Sequence, residues 1–150
     1  MRRWRRWTDD DGNATLEFIT AGMILLLPLV YLVMAMAALQ GGSLAVEGAA
    51  RQAVRVFVQA NSVGEGRDMA ERAIQFGLKD YGLDAAEATV SITCLPKPND
   101  CLHRLGLVTV RVSVHVRLPL TPPAMTVNLP LTVPVEAEAT EQVSRFWSGP

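Results

Sequence analysis

From Phe18 to Val46 the chain carries no Asp, Glu, Lys or Arg, and that stretch constrains the fold more than any other feature. It is longer than the roughly 20 residues with which an apolar helix crosses about 30 Å of hydrocarbon. It is also too long for the hydrophobic region of an ordinary signal peptide. The stretch reads as a membrane span. A chain of 150 residues then has room for one modest domain besides the span, because a domain needs on the order of 100 residues to bury a sufficient core.

The formal net charge is −1, which argues against a nucleic-acid partner, since neutralising phosphates takes a clear basic excess on one face. The basic residues cluster once. Arg2, Arg3, Arg5 and Arg6, interleaved with Trp4 and Trp7, stand just before the apolar run, where cytoplasmic positive charge and interfacial tryptophans belong. An RNA-binding arm accounts for the composition of this cluster but not for its position. The N-terminus is expected inside and everything beyond the span outside, with the chain in the cytoplasmic membrane.

Thr8-Asp9-Asp10-Asp11-Gly12 is polar and turn-prone and separates the basic head from the helix. Three consecutive aspartates do not converge on a cation without a turn scaffold, so a solvated turn is the reading there. Asn13 to about Ala60 reads as one helix, capped by Asn13 or Thr15 and with Glu17 in its first turn, where the macrodipole favours an anion. At 1.5 Å per residue it is about 70 Å long, and about half of that fits in a bilayer. Beyond the span, Leu44, Val46, Ala50, Val54, Phe57 and Val58 form an apolar stripe opposite Glu47, Arg51, Gln52 and Arg55. Pro28 lies within the span, where a membrane helix tolerates it.

Asn61-Ser62-Val63-Gly64 is a break, and a second amphipathic helix covers Glu65 to Lys79, with Met69, Ala73, Ile74 and Leu78 at helical spacing and Gly82 beyond its end. The period then changes to two. Val90, Ile92 and Cys94 alternate with Ser91 and Thr93, and Val108, Val110, Val112, Val114, Val116 and Leu118 alternate with polar residues. A third run places Val127, Leu129, Leu131, Val133 and Val135 opposite Asn128, Pro130, Thr132, Pro134 and Glu136; its prolines mark an edge strand. The fold class is α+β: a long N-terminal transmembrane α-helix extending into a small exported domain of about three antiparallel strands packed on one or two helices. Residues 1–12 are the basic cytoplasmic leader, 13–41 the transmembrane helix, 42–62 its exported continuation and 63–150 the exported domain.

Gly12-Asn13-Ala14-Thr15-Leu16-Glu17-Phe18 at the head of the span resembles the cleavage and assembly signature of type IV pilin-like proteins. More narrowly, Gly12, Glu17-Phe18, Pro28 and the Ala49-Ala50-Arg51-Gln52-Ala53-Val54-Arg55 segment look like the TadE-like minor pseudopilins of tight-adherence (Tad/Flp) pilus systems, over residues 12 to 55. The resemblance implies cleavage by a prepilin peptidase between Gly12 and Asn13. It implies assembly through Glu17 and Phe18 with other pilin or pseudopilin subunits. An ordinary signal anchor, in which Glu17 is only a dipole-compatible interfacial residue, is the alternative. So is a stand-alone anchored binding module that meets its ligand at the strands or at the Pro119 to Pro123 loop.

Cys94 and Cys101 flank a proline-bearing loop in a domain expected to be exported to an oxidising compartment, which predicts a disulfide between them. Two free thiols are one rival. A metal site with His103 and His115 is the other, at a spacing that fits no common zinc pattern. The expectation is no metal and no cofactor. The sequence holds no nucleophile elbow, phosphate-cradling loop, dinucleotide fingerprint or zinc-protease helix, so no catalytic residue is assigned and a structural role is expected.

Overall fold

The period-two run of valines becomes the middle strand of a three-stranded antiparallel sheet. The structure, a computed structural model, describes residues 14–119 and 132–148. In chain order it has α1 (Ala14–Val58), α2 (Val63–Lys79), a short 3-10 turn (Ala85–Glu87), β1 (Thr89–Leu95), β2 (Leu107–Arg117) and β3 (Thr132–Gln142). The strand order is β1-β2-β3. The chain divides into two compact units, one ending at Met34 and the other beginning at Ala35. The α+β class read from the sequence is the architecture found.

Alternation decides which face of the sheet is covered. Val108, Val110, Val112, Val114 and Val116 are all at most 3% exposed. Ile92 and Cys94 lie opposite Val110 and Val108 on one side, and Val135, Ala137 and Ala139 lie opposite Val114, Val112 and Val110 on the other. Residues that pair across antiparallel strands share a face, so these positions form one apolar layer. The opposite face is polar. There the Thr109 and Thr140 hydroxyls are 2.7 Å apart, and Arg111 reaches Glu138 at 2.7 Å and Glu136 at 3.4 Å. The hydrogen bond to Glu138, with the charge of Glu136 beside it, holds the Arg111 guanidinium above its ordinary pKa.

β3 differs from its sequence reading at its far end. Residues 127–131 lie outside those described, and the strand continues past Glu136 to Gln142. Ala137 to Gln142 is poor in strand-favouring residues, and pairing with the full length of β2 overrides that local preference. β3 is an edge strand, as its prolines indicate, with Pro134 opposite His115.

The second half of α1 covers the apolar layer. Val46, Ala50, Val54 and Phe57 are buried, and Ala45, Ala49 and Ala53 are buried with them. Leu44 instead is 57% exposed, because the contact face is built on alanines four residues apart, which rotates the stripe away from it. Glu47, Arg51, Gln52 and Arg55 are exposed, and Glu47 and Arg51 pair one turn apart. Small residues set the spacing of the layers. A Cβ on Gly77 of α2 would come within 3.2 Å of the Ala49 side chain, and one on Gly42 within 3.6 Å of Val135 and closer still to Val116.

α2 begins at Val63, two residues before the sequence reading, because Ser62 caps it. The Ser62 hydroxyl accepts from the Glu65 amide at 3.2 Å, and the Glu65 carboxylate accepts from the Asn61 amide at 3.0 Å. Glu65 is thus part of a reciprocal cap rather than the helix start. Gly66, Ala70, Ile74 and Leu78 form the buried face. Past Lys79 the chain turns at Gly82, whose φ of +70° suits glycine.

Candidate membrane span and the disulfide-braced unit

In the first unit, every residue from Thr15 to Met34 is exposed. Phe18 is 79% exposed and Leu25 73%. Each such side chain would gain about 1.5–3 kcal/mol on full removal from water, so a helix that is apolar on every side calls for an apolar surround. By length and composition this is a candidate membrane span. Glu17 lies in its first turn and is the one charged residue among residues 14–34. No ion pair or hydrogen bond engages its carboxylate among the described residues.

Thr20 donates its hydroxyl proton to the Leu16 carbonyl at 2.7 Å, so this side chain needs no external partner in an apolar medium. Pro28 removes the bond that an amide there would make to the Ile24 carbonyl. Thr15 lies within the helix rather than capping it. Gly12 and Asn13, the expected cleavage pair, lie outside the described residues, as do the arginine–tryptophan cluster and Asp9 to Asp11. Glu17 and Phe18 are adjacent on the helix and both exposed.

In the second unit, Cys94 and Cys101 are joined in a disulfide with their Cα atoms 5.1 Å apart. Cys94 sits near the end of β1 on its apolar face, and both cysteines and Leu102 belong to the core. The bridge therefore ties the β1–β2 loop to the layer under α1. His103 and His115 are not brought together. His103 is in that loop, its Nδ1 donating to the Asp100 carbonyl at 2.6 Å, whereas His115 lies near the other end of β2, beside Arg117. Among the described residues no group of three His, Cys, Asp or Glu side chains is arranged to hold a metal ion.

One constellation escaped the sequence reading. The tail after β3 folds back over the end of α1, where Trp147 donates its indole proton to the Ala60 carbonyl at 3.1 Å. That carbonyl lies two residues beyond the end of α1. Arg104 in turn donates to the Trp147 carbonyl at 2.8 Å, and Val143 donates its amide proton to Gly106 at 2.8 Å. The only signal in the sequence was an aromatic pair, Phe146-Trp147, late in a polar tail. Of the Pro119 to Pro123 loop, only Pro119 is among the described residues.

No family model matches the chain, and no curated protein or solved structure matches it either.

Proposed function

We propose that this chain is a minor pilin-like, TadE-like structural subunit of a Tad/type IV pilus assembly. It is held in the cytoplasmic membrane by one helix, with its N-terminus inside and its disulfide-braced α+β unit outside. The observation that carries this reading is the offset of Glu17, fifth after Gly12, at the mouth of the uncharged stretch 18–34 of α1, whose apolar side chains are exposed all round. Cleavage after Gly12 by a prepilin peptidase would free an ammonium on Asn13. In a medium of low dielectric an unpaired carboxylate is costly, and one paired with a neighbouring subunit's ammonium is tolerated and fixes axial register. Phe18, next to Glu17, would pack among the helices of those pilin or pseudopilin subunits. The disulfide supports an oxidising compartment for the second unit.

Processing and assembly are then separable. Gly12→Leu should block loss of residues 1–12, seen by intact mass. Glu17→Ala should leave processing and membrane insertion unchanged but abolish co-purification with other pilin subunits. If head length and co-purification were both unmoved by these substitutions in cells carrying the partner system, the helix would be a simple anchor.

A further inference from the structure

The two edges of the sheet are unlike. β3 carries Pro134 together with Glu136, Glu138 and Glu141, and prolines and charges of this kind keep edge strands from pairing with other chains. β1 has neither. Its sequence Thr89-Val90-Ser91-Ile92-Thr93-Cys94-Leu95 holds no charge, no proline and no glycine, and it ends the sheet on its side. An open groove of about 440 Å³ runs between this edge and α2, lined among others by Ile74, Ala88, Val90 and Ile92, with Arg67 and Glu71 also on its wall. Val90 is 42% exposed there, although Val112, its partner across the strand pair, is buried.

We propose that β1 is an interface between two copies of this chain, in which the two β1 strands pair antiparallel about a two-fold axis at Ile92. The strand is self-complementary in that register. Over its five central residues Ile92 meets its own counterpart, Val90 meets Cys94 of the second copy and Ser91 meets Thr93, so apolar positions face apolar ones and hydroxyls face hydroxyls; only the end pair, Thr89 with Leu95, is unlike. A slip of one residue would set Ile92 against Thr93 and mismatch the faces.

Charge points to the same occupant. Arg67 and Glu71 line the same groove as Val90 and Ile92, so this turn of α2 lies alongside the middle of β1. A two-fold at Ile92 therefore turns Arg67 of each copy toward Glu71 of the other, giving reciprocal opposite-charge contacts. Neither residue has an ion-pair partner among the described residues. A strand from an unrelated protein would have no reason to match both patterns. The interface does not rest on the pilin-like reading.

Sedimentation equilibrium of the full chain in detergent micelles tests it. The wild type should be dimeric at micromolar concentration. Arg67→Glu, which sets like charges together at both contacts, should weaken association about tenfold, and Arg67→Glu/Glu71→Arg should restore it. Both sites are exposed, and unchanged circular dichroism would show that the fold is kept. A monomeric wild type would overturn the proposal. So would a dimer whose affinity neither variant moves, since that contact would lie elsewhere, on the apolar half of α1 for example.

Discussion

The two halves of α1 are one continuous helix built on opposite principles. Up to Met34 its residues are larger and more apolar, yet none from Thr15 onward is buried; beyond Gly41 it carries Glu47, Arg51 and Arg55, and yet much of one side is almost wholly buried. The more apolar half is thus the more exposed one. What decides burial is pattern: apolar groups all round cannot be satisfied by one packed face, whereas a stripe of alanine and valine with charges opposite fits a sheet laid against it. The small side chains of the second half also let layers approach closely. Leu and Ile at the same sites would not admit Gly77 against Ala49 or Gly42 against Val116.

The largest expected effect breaks the comparison on the side of the first half. Leu25→Arg together with Leu29→Arg puts two cations mid-helix, at about 2.5–3.5 kcal/mol each for insertion. The protein should shift from carbonate-washed membranes to the soluble fraction or be degraded. Retention of the doubly substituted chain in the washed membranes would show that this helix is not the anchor. The same change has a different meaning in the second half, where Val54 is 1% exposed and an arginine would unfold the unit instead of releasing it.

Next in size is a matched pair of aromatic deletions. Phe57 is fully buried, at 0% exposed, and Phe18 is 79% exposed. Phe57→Ala should cost about 3–5 kcal/mol of unfolding free energy, while Phe18→Ala should stay within about 0.5 kcal/mol. Thermal or denaturant unfolding in detergent, followed by near-ultraviolet circular dichroism, compares them directly. Equal losses would mean that the first half also packs within the monomer.

A smaller loss than that of Phe57 belongs to the loop of the second unit. Cys94→Ala/Cys101→Ala removes a short closed loop, worth about 2–3 kcal/mol in the chain-entropy model, and should lower the unfolding midpoint without changing membrane retention. Intact mass before and after reduction establishes the starting state. An unchanged midpoint would show that Leu102 and the Gly106–Val143 hydrogen bond hold the loop without the bridge.

Much of this architecture is written locally. The uncharged run from Phe18 to Val46 specifies a long apolar helix, the alternating valines of 108–116 specify a strand buried on one face, and Asn61-Ser62 specifies the break between helices. Each is a short-range pattern of period 3.6 or 2, or a cap, and such patterns survive without knowledge of partners. The five-residue offset from Gly12 to Glu17 is equally a property of the sequence alone.

Other features exist only once distant segments meet. The buried side of α1 includes Ala45, Ala49 and Ala53 beside the Ala50 of the apolar stripe, because alanine is indifferent to burial until glycines of α2 and valines of β2 come close enough to select it. Ala137 to Gln142 become strand because β2 offers them a ladder, since strand propensity is largely a measure of fit to neighbours. Trp147 meets Ala60 across 87 positions of sequence, a separation no local signal spans. The bare edge of β1 and the guarded edge of β3 likewise appear only when the strand order is known. Sequence determined which segments are apolar and with what period; tertiary structure decided which surfaces those segments cover and which they leave open, because burial is a property of pairs.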